Sequence, residues 1–418
     1  MPGGSPGCPR VVVLGAGLTG VGVALELARR RVAVTLVDQD PWPMNRASLR
    51  NEGKIHLGFI YAADKTLSTA RLQLMGALRF RALLSRWIGS RADRLRRSTP
   101  FVYLVARDSL LSVEALDHHY AAVQSLYREG LAQAPEHDYL GERPEALYAP
   151  CPLDRLGRWF DAGRFAGAFR TEERAIDTGE LAALLREAVK ASPRIRFLPR
   201  HRVLAVVRAN GGLRIEGEHP GGRWRLEADQ VVNALWENRL AIDLTVGLAA
   251  EPGWVHRLKY RVIARLPGSL RGAPSATMVL GRYGDVVVRP DGTAYLSWYP
   301  LGLRGWSHAL APPADWDGPC RGEVSAEERD ALARGLLAAI DAWYPGIGRS
   351  EPLLVDAGAI VAYGATDVDD PASRLHDRSR IGVTSMDGYH SVDPGKLTTA
   401  PFFASLAAER ILGTEAES

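Results

Sequence analysis

Residues 10–38 impose the tightest constraint on what this chain can become. Arg10-Val-Val-Val-Leu-Gly-Ala-Gly-Leu-Thr-Gly is followed by an apolar helical run and then by Val34-Thr-Leu-Val-Asp. Val11 to Leu14 suit a buried parallel strand, and Gly15, Gly17 and Gly20 stand at GxGxxG spacing before a helix. Gly15 permits the tight turn, Gly17 lets backbone approach a pyrophosphate, and Gly20 allows helix and strand to pack closely. Leu18 and Thr19 open the helix, whose free N–H groups and positive dipole end favour phosphate. The second strand, expected over 32–37, ends in Asp38, whose carboxylate is placed to accept hydrogen bonds from an adenosine ribose. An acid there favours FAD or NAD over a cofactor with a 2′-phosphate. The motif alone leaves the choice of dinucleotide open.

The chain has 418 residues, enough for two or three domain-sized cores, and its 46% hydrophobic and 24% charged residues describe a soluble globular protein. The most apolar stretch, Val11 to Ala28, contains the three motif glycines, Thr19 and Glu26, so the cradle explains it better than a membrane span. The first nine residues read as a loose tail without the features of a secretion signal, and a cytoplasmic location follows by default. Cys8, Cys151 and Cys320 are few, odd in number and far apart, which argues for free thiols rather than a disulfide framework or metal site. Basic residues crowd 71–97, including Arg79, Arg81, Arg86, Arg91, Arg94, Arg96 and Arg97. They read either as a solvated helix face or as a patch that attracts anions. No aromatic interleaving or nucleic-acid module accompanies them, so nucleic acid is not an expected partner.

Further along, helical patterns are expected near 65–95 and 113–132, with a strand at 101–106 between them. Asp177 and Glu180 form a capping-box pair that opens a helix reaching Lys190. Strands follow at 195–198, 201–207, 213–217 and 228–234, and a run of strands from Lys259 to Trp298 turns at Pro290-Asp-Gly-Thr, the pattern of an antiparallel sheet. Ser325 and Glu328 again make a capping box, and 399–412 form a closing helix. The expected architecture is α/β. A discontinuous Rossmann-like dinucleotide domain spans 1–95, 170–245 and 350–418, and an antiparallel-sheet α+β substrate domain spans 96–169 and 246–349.

With these stretches in order, the chain resembles the D-amino-acid oxidase superfamily of FAD enzymes, which includes glycine and sarcosine oxidases and FAD-dependent glycerol-3-phosphate dehydrogenases. Four stretches carry the resemblance: the cradle ending in Asp38; Asn45-Arg-Ala-Ser-Leu-Arg-Asn-Glu-Gly-Lys-Ile-His-Leu-Gly; Ile176-Asp-Thr with His201-Arg-Val and Val231-Val-Asn-Ala; and Ser373-Arg-Leu-His with Gly388-Tyr-His-Ser-Val-Asp-Pro-Gly-Lys-Leu-Thr-Thr. The resemblance implies a glutathione-reductase-type FAD domain in which Arg46, Ser48, Lys54 and His56 pass along the flavin. It places Val203, Asn233 and Ala234 on the adenine side, and Gly388, Gly395, Lys396, Leu397 and Thr398 around the flavin. Donors from Gly395 to Thr398 would face the flavin N1 and C2 carbonyl, where negative charge builds on reduction.

His56 has three open readings: a covalent flavin attachment, a noncovalent flavin contact, or a core histidine. His390 is a candidate base or orienting group, and Lys396 and Arg374 complete the catalytic candidates. One departure stands out. Where amino-acid oxidases of this family carry a Gly-x-Arg-Pro clamp for the substrate carboxylate, this chain reads Asp356-Ala-Gly-Ala-Ile-Val-Ala-Tyr-Gly, so Arg289, Arg374 or an arginine from the sheet would have to substitute. The aromatics Tyr260, Tyr283, Trp298 and Tyr299 belong to the sheet, individually more suited to core than to chemistry.

The expected activity is removal of a hydride from a C–N or C–OH carbon of a small molecule, with oxygen or another acceptor reoxidising the FAD. A monooxygenase fed by reduced nicotinamide and a non-catalytic flavin-binding protein are the alternatives. No metal-ligand spacing, Gly-x-Ser-x-Gly elbow or P-loop occurs.

Overall fold

The computed structural model describes residues 9–209, 211–364, 366–370 and 372–414; Cys8 and nearly all of the N-terminal tail lie outside the described residues. The chain begins with β1 (Val11–Leu14), α1 (Leu18–Arg29), β2 (Val34–Val37) and β3 (Lys54–Ile55). It continues through α2 (Ser68–Ile88), β4 (Phe101–Ala106), α3 (Val113–Gln133), β5 (Tyr148–Pro150), β6 (Phe165–Thr171) and β7 (Arg174–Ala175). The middle holds α4 (Thr178–Ala191), β8 (Ile195–Leu198), β9 (Arg202–Ala209), β10 (Gly212–His219), β11 (Gly222–Ala228), β12 (Gln230–Asn233) and α5 (Arg239–Thr245). Then come β13 (Trp254–Arg265), β14 (Ser275–Val279), β15 (Gly284–Val288), β16 (Thr293–Trp298), α6 (Tyr299–Gly302), β17 (Leu303–Ser307), α7 (Asp317–Arg321) and α8 (Ala326–Asp341). The last elements are β18 (Glu351–Tyr363), β19 (Gly382–Met386), β20 (Tyr389–Asp393) and α9 (Ala400–Leu412).

Six strands in the order β19-β20-β12-β1-β2-β8 make the dinucleotide sheet. Its central pairings are parallel, and the edge pair β19 and β20 is antiparallel. β1 is fully apolar and buried, so it sits in the middle with helices covering the sheet. Its last turn is permitted by Gly15, at φ +91°, where a Cβ would come within 2.6 Å of the Ala234 carbonyl oxygen. At Gly20 a Cβ would fall 1.8 Å from the Gly15 carbonyl oxygen, so only glycine lets α1 start this close to β1. The strands β9, β10 and β11 form a separate antiparallel sheet, whose third strand the sequence pattern did not mark.

The larger sheet runs β17-β13-β16-β15-β14-β4-β6-β5, with β18 on β13. It is antiparallel except for β4 and β14, which pair in parallel. These two strands come from different insertions, so no hairpin dictates their direction. The expectation that 350–418 belongs wholly with the dinucleotide domain needs correction at β18. This strand pairs along β13, because Val355, Ala357 and Ala359 alternate into the core beneath the large sheet. Asp177 caps α4 by accepting from Gly179 and Glu180 N–H, but Glu180 accepts from the Arg96 backbone N–H rather than closing a reciprocal box. Several of the basic residues in and just after α2 are matched by acids: Arg81 meets Asp93 at 2.9 Å, Arg91 meets Glu187 at 2.7 Å and Arg96 meets Asp177 at 2.8 Å. Cys151 and Cys320 are buried free thiols. Among the described residues no helix is long and apolar enough to cross a membrane.

Candidate active site

One elongated cavity runs from Asp38 past Gly15, Gly17, Leu18 and Thr19 to Lys396, and on between the two large sheets. At its first end the Asp38 carboxylate accepts the Ala16 N–H at 2.5 Å and the Asp40 N–H at 2.8 Å. Burial pushes this carboxyl up to about 7, against the pull of those two N–H groups. A carboxylate has lone pairs for about four donors, so acceptor capacity remains for a ribose diol. At the start of α1 the Leu18 N–H is taken by Ser48 Oγ at 2.9 Å, while no described residue accepts the N–H of Gly17 or Thr19. Arg46 spans Asp40 at 2.9 Å, Glu237 at 3.6 Å and Asp317 at 2.5 Å, which fixes the loop over the cradle. Ala234 completes this end of the wall.

The middle of the cavity is built by β3 and the turn before α9. Thr398 Oγ1 accepts the His56 N–H at 2.9 Å and so ties the two segments together. The N–H groups of Leu397 and Thr398 have no acceptor among the described residues, and Gly395, Lys396 and Leu397 line the cavity. His56 is buried between two acids, with Nδ1 3.5 Å from Glu173 and Nε2 3.7 Å from Glu52. Lys54 lines the wall, but its ammonium donates to Asp285 at 3.0 Å and to Thr277 Oγ1 at 2.5 Å. Burial works against the charge of Glu52, yet His56, Lys396 and Lys259 outweigh it and hold this carboxyl well below the usual range. Lys396 is pushed down by burial, with Glu52 pulling the other way.

At the far end β13 and α6 meet the loop that leads to β19. Lys259 Nζ lies 4.5 Å from the Tyr299 ring centre and 3.9 Å from Asp285. Burial favours the neutral phenol of Tyr299, but Lys259, Arg257 and Lys396 prevail and move it below the ordinary phenol range. Arg257, Arg378 and Tyr61 close this end, all three buried.

Of the residues expected from the sequence, Gly15, Gly17, Leu18, Thr19, Asp38, Arg46, Ser48, Lys54, His56, Ala234, Gly395, Lys396 and Leu397 share this one cavity. Others do not reach it. Gly20 packs against Gly15, and Val203 lies on β9 with its side chain on the small-sheet core. Asn233 is buried beneath the cradle, where its amide donates to Asp243, Tyr389 and the Arg239 carbonyl. Gly388 forms the turn between β19 and β20 at φ +80°. His390 lies on β20 away from the cavity, between Ser385 Oγ and Gln230 Oε1, each at 2.8 Å. Burial lowers its pKa to about 4, which leaves it neutral at ordinary pH. Arg374 is exposed, with Asp377 at 3.5 Å, and Arg289 does not line the cavity.

The residues that sequence reading missed are Glu52, Tyr61, Arg257, Lys259 and Arg378, together with Tyr299 as a polar group rather than core. One signal was present. Arg257, Lys259 and Arg261 alternate with Leu258 and Tyr260 in the buried middle of β13, so three cations share one face of a buried sheet. Arg261 is paired with Asp356 at 2.6 Å and supports the carbonyls of Leu49 and Asn51. Asp356 thus stands in the stretch where an arginine clamp was sought.

Residues 10–410 match the DAO family, described as FAD dependent oxidoreductase, and the chain belongs to that family. It is an FAD-dependent oxidoreductase. Among solved structures it is similar to glycine oxidase from Geobacillus kaustophilus, with TM-score 0.69 and 17% identity over 98% of this chain and 96% of that one. L-proline dehydrogenase from P. horikoshii matches with TM-score 0.66 and 15% identity, covering 99% and 96%. L-alpha-glycerophosphate oxidase from Mycoplasma pneumoniae, whose structure has FAD bound, matches with TM-score 0.65 and 15% identity, covering 99% and 97%. At these identities the likeness is one of fold. No curated protein matches the chain by sequence. The family gives no support to the monooxygenase alternative.

The site fits FAD. Free acceptor capacity at Asp38 and unclaimed N–H groups at Gly17 and Thr19 suit the ribose and pyrophosphate, and those at Leu397 and Thr398 suit the pyrimidine edge.

Proposed function

We propose that this protein oxidises the C–N bond of a small amine of amino-acid type, with bound FAD accepting the hydride and oxygen or another acceptor taking the electrons onward. An amine reaches the cavity as an ammonium ion at neutral pH and must lose a proton before its carbon can give up hydride. Glu52 supplies the anionic partner that an ammonium needs and an alcohol does not. Its carboxylate, kept ionised in the cavity wall, is the observation that carries the amine reading over the alcohol reading. Tyr299 supplies the proton acceptor, since three neighbouring cations favour its phenolate. Lys396 stands at the turn before α9, where its charge and the free N–H groups beside it would offset the negative charge that gathers on the flavin.

The test is product analysis. A candidate amino acid turned over in air should release one carbonyl compound and one equivalent of ammonia or amine per flavin cycle. Turnover of the matching hydroxy acid, with the amino acid inert, would reverse the assignment to C–OH oxidation.

A further inference from the structure

We infer that the closed end of the cavity is a dianion site, in which Arg257, Arg378 and Tyr61 hold a doubly charged group of the substrate, either a phosphate or a pair of neighbouring carboxylates. The inference deepens the amine reading and rests on it for the word substrate, but the site itself stands on its own geometry.

Arg257 projects from β13 with its side chain 1% exposed, and its Nε and Nη1 have no hydrogen-bond acceptor among the described residues. Its nearest acid, Asp367, is 3.8 Å away and also lies 3.4 Å from Arg282. That acid is therefore shared and leaves most of the Arg257 charge unanswered. Arg378 is also buried and is anchored from the other side. Its Nε donates to the Leu375 carbonyl and its Nη1 to the Val361 carbonyl, each at 3.1 Å, while its backbone N–H donates to Thr69 Oγ1 at 2.9 Å. Carbonyls orient a guanidinium but do not neutralise it. The charge of Arg378 is disfavoured first by burial and then by Arg257, and its pKa falls to about 10. Tyr61 adds a buried hydroxyl with no partner among the described residues.

Two like charges and an unpaired hydroxyl buried around one cavity end are costly unless an anion completes them. The guanidinium forks suit the oxygens of phosphate or carboxylate. Once Tyr299 holds the proton taken from the amine, a single carboxylate leaves one of the two guanidinium charges uncompensated, whereas a dianion balances both. Glu52 does not serve this purpose, because its carboxylate stands against His56, 3.7 Å from Nε2, and pairs with neither guanidinium. The clamp absent from β18 is thus replaced by a site with twice the charge, carried by a different strand and loop.

Calorimetric titration of the purified FAD-loaded protein at constant ionic strength, with inorganic phosphate, malonate and acetate as separate probes, tests this directly. Phosphate or malonate should bind at least about tenfold more tightly than acetate, and the tighter of the two identifies phosphoryl or dicarboxylate chemistry. Tyr61→Phe removes a buried hydroxyl that no described residue uses, so it should not lower the thermal midpoint of the anion-free protein, and it should weaken dianion binding roughly tenfold. Arg378→Lys should weaken it further. Equal affinity for acetate and malonate, or dianion binding indifferent to both substitutions, overturns the inference. Because no oxidation is involved, dianion binding without amine turnover would defeat the proposed reaction and leave the site standing. Amine turnover indifferent to Tyr61→Phe and Arg378→Lys would do the reverse.

Discussion

Replacing Asp38 with asparagine probes the cradle at its most informative atom. The wild-type carboxylate receives the Ala16 N–H at 2.5 Å and the Asp40 N–H at 2.8 Å, and its remaining lone pairs are the acceptors for a ribose diol. Asparagine keeps one carbonyl oxygen and turns the other into a donor, which must face either a backbone N–H or the ribose. Losing one hydrogen bond to a charged acceptor costs about 1.5–3 kcal/mol, a fall in FAD affinity of roughly 10- to 150-fold. Stability of the apoprotein should move the other way with pH. The folded-state pKa of Asp38 is raised to about 7 from an ordinary 3.8, so the contribution of the protonated form is full at low pH and is lost as pH rises through about 7. From about pH 6 to about pH 8 that loss is about 1.4 kcal/mol, and the asparagine variant should not show it. Titration of apoprotein with FAD, followed by quenching of flavin fluorescence, gives the first quantity; urea unfolding of the apoprotein at the two pH values gives the second. An unchanged FAD dissociation constant would refute the placement of the ribose at Asp38.

Glu52→Gln should raise the amine concentration needed for half-maximal flavin reduction by roughly tenfold, read by stopped-flow absorbance, because the ammonium loses its charged partner. If saturation is unaltered, Glu52 does not receive the amine. The rate of flavin reduction by amine should climb with pH as Tyr299 deprotonates, with a midpoint below the ordinary phenol range, and Tyr299→Phe should abolish that rise; a profile identical in both proteins excludes Tyr299 as the proton acceptor. His390→Gln should leave FAD binding and reduction rate unchanged, since the His390 ring bonds Ser385 and Gln230 outside the cavity. A large drop in reduction rate would show a connection that this geometry lacks.

The cradle was legible because its constraints are local. Strand, three glycines, helix and Asp38 are neighbours in sequence, and each answers a steric or hydrogen-bonding need within one turn of chain. The same holds for the caps at Asp177 and Ser325, whose side chains accept from N–H groups two or three residues on. What escaped was assembled across long separations. β18 reads as an apolar run suited to either sheet, and only its pairing with β13 decides which. His390 sits in a stretch that resembles a flavin loop, yet the β20 alternation turns it away from the cavity toward Gln230. The far end of the site joins Tyr61, Arg257, Tyr299 and Arg378 from four places in the chain, so neither spacing nor motif could have grouped them. The charged alternation at Arg257, Lys259 and Arg261 was the one local trace, a pattern that a buried strand carries only when something opposite it needs the charge.

Anaerobic mixing of the purified yellow protein with amines that carry a second acidic group, monitored in the visible flavin bands, addresses the central claim most directly. The account predicts that such an amine bleaches the flavin without oxygen or nicotinamide and that the colour returns when an acceptor is admitted. Flavin that stays oxidised with every such amine, yet bleaches with the corresponding hydroxy compounds, would contradict it.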